Sequence, residues 1–200
     1  MNTFCKFTNF ITKSEQQLLL SLVDRKMKRI AYSKSHFDQV ITGFRETNCS
    51  DWTLPESSAF PIMNRMMQKV NDTIGKEFRF LPPHCLDLQE QESGIMAHVD
   101  NLNASGEVIA TISLLSPCVL IFKLGDVEVR RELIEPLSLY IQAGPLRYNA
   151  THEIPMTDDP NHSIDGHFII RKRRISIMIR DQPKIGTSSQ SLSDVSSVGG

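Results

Sequence analysis

The segment "IMAHVDNLNASGEVIATISLLSP", residues 95–117, decides how this chain is read. It sets His98 and Asp100 two positions apart, just ahead of an apolar run rich in β-branched residues. Side chains two apart on a strand project from the same face. An imidazole and a carboxylate therefore share one side of a short extended segment. Either this is a polar strand edge, or it is two-thirds of a metal site. Alone, H-x-D is a tripeptide that arises by chance, and a solvated edge pair explains it.

Working outward, the residues from about 84 read as short strands. "CVLIFKL" and "VEVRREL" flank Gly125-Asp126, a two-residue hairpin signal with Gly at the first central position. "SLYIQ" follows Pro136, and "ATHEI" comes next. The last strand, "RRISIMIRD", alternates: Ile175, Ile177 and Ile179 on one face, and Arg174, Ser176, Met178 and Arg180 on the other. No helical run long enough for a parallel crossover separates these strands, so the sheet is predicted to be mostly antiparallel.

The front of the chain reads as helical. "TKSEQQLLLSLVDRKMKRI" starts with a cap at Thr12 or Ser14, each with Glu or Gln three residues on. "SAFPIMNRMMQKVNDTIGKEF" places Ile62, Met63, Met66, Met67, Val70 and Ile74 on one stripe. Such a methionine cluster serves as an adaptable binding surface in some proteins; a helix packed on a sheet is the simpler account. The predicted architecture is mainly β with N-terminal helices (α+β), a double-stranded β-helix or jelly-roll barrel buttressed by helices. One domain spans 14–182, with a helical front over 14–80 and the jelly-roll core over 84–181. Residues 1–13 are acid-poor and read as a targeting or flexible segment. Residues 183–200, rich in Ser and Gly, read as a disordered tail.

Bulk properties narrow the function classes. Two hundred residues with 40% apolar content give one domain with a substantial core. A formal charge of −1 supplies no global basic field for a polyanion. The apolar runs are broken by Pro117 and polar residues, which argues against membrane insertion. Cys5, Cys49, Cys85 and Cys118 are scattered, with no CxxC pair, as expected of reduced thiols.

Two further features turn the H-x-D pair toward metal chemistry. His152 lies 152 − 98 = 54 positions on, at the end of "ATHEI", where a later barrel strand would return. Its competitors, His162 and His167, sit in "DDPNHSIDGH", a polar stretch whose histidines are expected to face solvent. Two His and one carboxylate on one face of an octahedron suit non-haem Fe(II) oxygenases. If the three isoleucines pack under the helices, Arg174 and Arg180 point into the barrel, some 20 Å apart at about 3.3 Å per residue. A buried arginine is costly unless it meets an anion, and a dicarboxylate binds a guanidinium in a bidentate fork. In "RKRR", Arg171 to Arg173 read as a solvated edge run.

The ordered set H-x-D, a distant His and R-x5-R resembles the AlkB-type family of Fe(II)/2-oxoglutarate-dependent dioxygenases over roughly residues 84–181. "ITGFRETNCSDW", "LLSP" and "SLYIQAGPLRYNATHEI" bring it nearest to the mitochondrial alkB homologue 7 branch, extending the likeness to about 14–181. The resemblance implies that His98, Asp100 and His152 bind Fe(II). It implies that Arg174 pairs with the distal carboxylate of 2-oxoglutarate and that Arg180 lies nearer the metal. It further implies that Tyr140 touches the cosubstrate and that Ser176 lines the same pocket. O2 is the co-reactant, and succinate and CO2 are products. Relatives often carry Gly where this chain has Leu137, so the turn after Pro136 is expected to differ.

The branch is also known for lacking a nucleotide-recognition lid and for roles in mitochondrial (fatty acid) metabolism and programmed necrosis. The resemblance thus implies a monomeric enzyme of the mitochondrial matrix acting on a protein or a structured RNA, with duplex DNA disfavoured. "RKRR" is the only local feature favouring RNA demethylation. Two other classes compete. A 2-oxoglutarate-sensing scaffold would bind the cosubstrate without consuming it. A cupin-like metalloprotein would leave Arg174 and Arg180 unexplained.

Overall fold

The computed structural model describes residues 3–183. The chain opens with β1 (Thr3–Phe7), α1 (Lys13–Met27), β2 (Ser33–Ser35), β3 (Ile41–Asn48) and α2 (Phe60–Ile74). Then come β4 (His84–Leu88), β5 (Gly94–His98), β6 (Val108–Leu114), β7 (Cys118–Leu124), β8 (Val127–Ile134) and β9 (Leu139–Ala143). A short α3 (Pro145–Asn149) leads into β10 (Thr151–Ile154). A small hairpin of β11 (Ser163–Ile164) and β12 (His167–Phe168) precedes β13 (Arg174–Arg180). The strands form one curled sheet in the order β1-β9-β6-β13-β4-β3-β5-β10-β7-β8, with β2 beside β3. Its described pairings are antiparallel. The jelly-roll expectation is met.

Local chemistry explains the element ends. Thr12 caps α1: its hydroxyl accepts from the Glu15 N–H at 3.1 Å, and the Glu15 carboxylate accepts from the Thr12 N–H at 2.8 Å. Pro61 sits in the first turn of α2, and Gly75 ends it at φ 75°. The β7–β8 hairpin turns on Gly125 at φ 58°. Leu137 adopts φ 68°, so the turn after Pro136 keeps a left-handed conformation that normally favours glycine. Its amide donates to the Ser113 carbonyl at 2.8 Å, its carbonyl accepts from Ile11 at 3.2 Å, and its side chain packs on the core, which together hold the strained residue.

The helices cover one face of the sheet. Leu19, Val23 and Met27 of α1, with Ile62, Met63, Met66 and Val70 of α2, pack on Ile112, Ile141, Ile175, Ile177 and Ile179. The methionine stripe is therefore core. Asp87 of β4, fully buried, locks this layer from behind. It accepts from Arg45 Nε at 2.8 Å, Arg173 Nη2 at 2.8 Å and the Tyr32 hydroxyl at 3.1 Å, and Arg45 also donates to the Met27 carbonyl ending α1.

Four expectations need correction. The front is not wholly helical, because β3 lies between β4 and β5 at the heart of the sheet. Gly43, at φ 59°, leaves no room for a side chain, since a Cβ would stand 2.5 Å from the Glu92 carbonyl oxygen. Within the segment 1–13, Thr3–Phe7 is a strand, paired with β9 from Thr3↔Ala143 to Phe7↔Leu139. "RKRR" is not a solvated run: Arg171 is 2% exposed and donates to the carbonyl and hydroxyl of Ser93 and to the Thr157 hydroxyl, while Arg173 pairs with Asp87 and Asp24. Only Lys172 of the four is exposed. Finally, His162 is buried, with its Nδ1 at 2.6 Å from the Ile169 carbonyl and its Nε2 accepting from the Val119 N–H at 3.2 Å, whereas His167 is exposed as expected. The tail reading for 183–200 falls, past residue 183, outside the described residues.

Replacing His162 orphans a buried amide and a carbonyl. His162→Ala should lower stability in urea by about 1–3 kcal/mol, against about 0.5 kcal/mol or less for His167→Ala.

Candidate active site

The ladder brings His98 and His152 together. β5 and β10 are neighbours in register His152↔His98, and their ring centroids are 4.4 Å apart. Asp100 follows two residues after the end of β5. Its Oδ1 lies 3.0 Å from His98 Nε2 and 3.8 Å from His152 Nε2. One potential ligand atom from each of the three residues falls within 4.8 Å of the others. His98 Nδ1 donates to the Met96 carbonyl at 2.9 Å, which leaves Nε2 as the nitrogen able to face the other two groups. Two imidazole nitrogens and a carboxylate oxygen, partly buried and converging, form a donor set that fits Fe(II).

The electrostatics match. Burial alone would raise the Asp100 carboxyl, but the His98 hydrogen bond, with the adjacent His152 and the Arg180 guanidinium, holds it well below the carboxylate range. Arg180 Nε lies 3.7 Å from Asp100 Oδ2, at the triad end of the cavity. Burial pushes His152 down to about 4, so it is a neutral imidazole at physiological pH. Burial opposes protonation of His98 too, but its bonds to Asp100 and to the Met96 carbonyl raise it overall.

The cavity behind this triad is apolar in its walls (Ile95, Ile109, Leu120, Ile154) and lined by Tyr140 and Ser176. Arg174 stands beside them, fully buried, with Nη1 donating to the Ser176 hydroxyl. Its Nε and Nη2 have no hydrogen-bond partner among the described residues. Burial pushes the Tyr140 hydroxyl above its ordinary value, and the neighbouring Arg174 charge counters this.

Outside the triad opens a wider cleft that shares His84, Asp100 and Arg180 with the inner cavity. Asn48, Ser50, Asn101 and Ser105 line it with uncharged hydrogen-bonding groups. Sequence reading missed this wall. His84 bridges Glu46 Oε2 at 2.9 Å and Asn48 Oδ1 at 3.0 Å. Glu46 and Asn48 stand two apart on β3, and recognising β3 as a central strand would have placed both on one face. Phe37, 90% exposed on the β2–β3 loop, stacks near His36, whose Nε2 is 4.0 Å from Glu46.

No family model matches the chain. A relative from Mus musculus, "Alpha-ketoglutarate-dependent dioxygenase alkB homolog 7, mitochondrial", is 34% identical over 180 residues, which is 88% of this chain and 76% of that protein. The chain belongs to the alkB homologue 7 family of dioxygenases. The Bos taurus protein of the same name is 35% identical over 177 residues, with the same coverage. As a member of this family, the chain is an Fe(II)- and 2-oxoglutarate-dependent dioxygenase that uses O2. Both relatives are named mitochondrial, the compartment the resemblance implied. The fold is that of 2-oxoglutarate oxygenases. A Trichoplax adhaerens prolyl hydroxylase, solved with a peptide fragment of hypoxia inducible factor, aligns at TM-score 0.61 and 13% identity over 92% of this chain and 84% of that one. OsALKBH1 aligns at TM-score 0.62 and 12% identity over 91% and 98%. Among the described residues no helix is long and apolar enough to cross a membrane.

The depressed His152 gives a pH signature. Its folded value of about 4 lies below the ordinary 6.5, so its contribution is complete above pH 6.5 and is lost as the pH falls toward 4. That separation corresponds to at most about 3 kcal/mol. His98, raised on folding, works in the opposite sense, losing its contribution as pH rises through its folded value. Asp100 matters only below its ordinary 3.8. In chelator-treated protein, His152→Gln should flatten the loss of urea stability between pH 6.5 and 4; an unchanged slope would contradict the assignment.

Proposed function

We propose that His98, Asp100 and His152 hold the Fe(II), and that Arg174, with Tyr140 and Ser176, receives the distal carboxylate of 2-oxoglutarate. Arg180 secures the metal end, and the enzyme hydroxylates a protein segment lying in the outer cleft. The observation that carries this reading is Arg174: a guanidinium shut from water, with two unpaired nitrogens, beside the cavity behind the triad. A buried unpaired cation is strongly unfavourable unless an anion completes it. A carboxylate accepts a fork of hydrogen bonds from the free Nε and Nη2.

When bound, the iron supplies the redox chemistry that couples conversion of 2-oxoglutarate to succinate and CO2 with oxidation of a C–H bond. The chain's own residues bind, orient and exclude water. The Ser176 hydroxyl fixes the Arg174 fork. The apolar walls keep water from the cosubstrate's carbon chain. Arg180 opposes the charge of Asp100.

The cleft supports a peptide over a polyanion. Two Asn and two Ser side chains on its walls can pair with backbone amides, and among the described residues Arg180 is the one Lys or Arg that lines it, balanced by Asp100. "RKRR", the local feature that favoured RNA, is largely internal. The resemblance to the branch supports a setting in mitochondrial fatty acid metabolism and programmed necrosis.

His98→Ala and Asp100→Ala should abolish Fe(II)-dependent succinate formation while far-UV dichroism stays native. Arg174→Lys keeps the charge but loses the fork, weakening apparent 2-oxoglutarate affinity about ten- to a hundredfold, from one or two charge-assisted bonds of about 1.5–3 kcal/mol. Arg180→Lys should depress turnover more than affinity; a larger affinity loss at 180 would mean the two roles are reversed. Mass spectrometry of incubated mitochondrial peptides should show a gain of one oxygen. Modification of RNA alone would replace the protein reading, and binding of 2-oxoglutarate without consumption would favour the sensor.

A further inference from the structure

Asp100 lies beyond the end of β5, so no strand ladder fixes its main chain. The loop that follows returns only at β6, Val108–Leu114. Yet a ligand carboxylate must be held within a fraction of an ångström to complete a metal site.

Arg147, in the middle of α3, meets that need. It is 2% exposed. Its Nη1 donates to the Asp100 carbonyl at 3.0 Å. Its Nη2 donates to the Ser105 carbonyl at 3.3 Å and to the Ser105 hydroxyl at 2.6 Å. One planar guanidinium thus ties Asp100, near the start of the loop, to Ser105, near its end. Within the loop, Ala104 and Ser105 both donate to the Asn101 carbonyl, at 3.1 and 3.2 Å. Beyond it, Asp181 takes the Glu107 and Val108 amides at 3.0 and 2.8 Å. Arg147 also stands five residues before His152, on the helix that feeds β10, and Leu146 beside it is anchored in the core with Phe122 and Tyr140.

We infer that Arg147 is a positioning residue: it ties the Asp100 loop to the helix that leads directly into the strand carrying His152, so that two of the three donors are held in one frame. The inference rests on reading Asp100 and His152 as iron ligands. Arg147 touches no reactant; it acts through the main chain of Asp100. The fork geometry matters, because the guanidinium holds two chain segments at a fixed separation whereas an ammonium serves as a point donor. The same bonds shape the outer cleft, since Asn101, Ala104 and Ser105 form one of its sides.

Co(II) alone, added anaerobically to the full chain, is the probe. Its affinity and ligand-field absorption report donor geometry independently of turnover. Arg147→Met should weaken Co(II) binding about ten- to a hundredfold, the range found when groups supporting metal ligands are removed, and should shift the absorption bands. Arg147→Lys should recover part of the affinity. A lower thermal midpoint with unchanged Co(II) affinity and spectrum would reduce Arg147 to a structural residue and overturn the inference. If Arg147→Met does not fold, Ser105→Ala carries the test: it removes one acceptor from the fork and should still shift the bands, and an unaltered spectrum overturns the inference equally. Asp100→Ala separates the two levels. Wild-type Co(II) behaviour in that variant would topple the triad itself, whereas loss of metal there with none in Arg147→Met would sink only the role of Arg147.

Discussion

A strand buried on both faces organises this molecule. β13 turns Ile175, Ile177 and Ile179 toward the helices and Arg174, Ser176 and Arg180 toward the barrel, while β4 and β6 pair along its two edges. A slip of one residue would exchange the two sets, driving guanidinium groups into the helix interface. Three buried isoleucines contribute about 1.5–3 kcal/mol each, comparable to the cost of leaving one buried charge group incompletely paired. Apolar packing thus sets the register, and the arginine is carried into the interior with it. The polar face that lines the barrel cavity rides on a hydrophobic constraint.

The triad depends on the same economy of strand geometry. Pairing of β5 with β10 supplies the two imidazoles, and the chain reversal just past β5 supplies the carboxylate. Each donor is held differently: His98 through the Met96 carbonyl, His152 through burial beside Phe122, and Asp100 through its side-chain contacts and main chain. Such mixed anchoring brings the three side chains together at the barrel mouth although only two of them belong to the strand ladder.

Where local pattern and tertiary role coincide, the sequence was readable. The alternation of "RRISIMIRD", the Gly125 hairpin and the Thr12 cap carry their structure in adjacent letters, whereas Asp100 meets His98 from beyond the end of β5 and not from the same strand face. β3 was not so readable, because Gly43 interrupts its pattern and its polar groups Glu46 and Asn48 bond His84 beside the cavity instead of packing in a core. "RKRR" and His162 were misread for a common reason: their partners Asp87, Ser93, Thr157, Val119 and Ile169 are mostly distant in sequence, and polarity alone looks like exposure. Leu137 shows the reverse, a turn whose conformation survives an unfavourable residue because neighbouring bonds and packing enforce it. Arg147 was quoted within a recognisable stretch, yet nothing in its neighbours reveals which loop it reaches.

The first strand has a consequence for processing. Phe4 stacks on Tyr140 with centroids 6.0 Å apart and meets Phe122 edge-on at 5.5 Å, while Lys6 donates to the Leu133 carbonyl. The acid-poor residues that look like part of an import signal are thus also the outer rail of the sheet. A protease cutting after Phe7 would strip β9 of its neighbour, bare its amides along that edge and remove the aromatic cover from Tyr140. These five residues are therefore part of the folded sheet and of the cover over Tyr140.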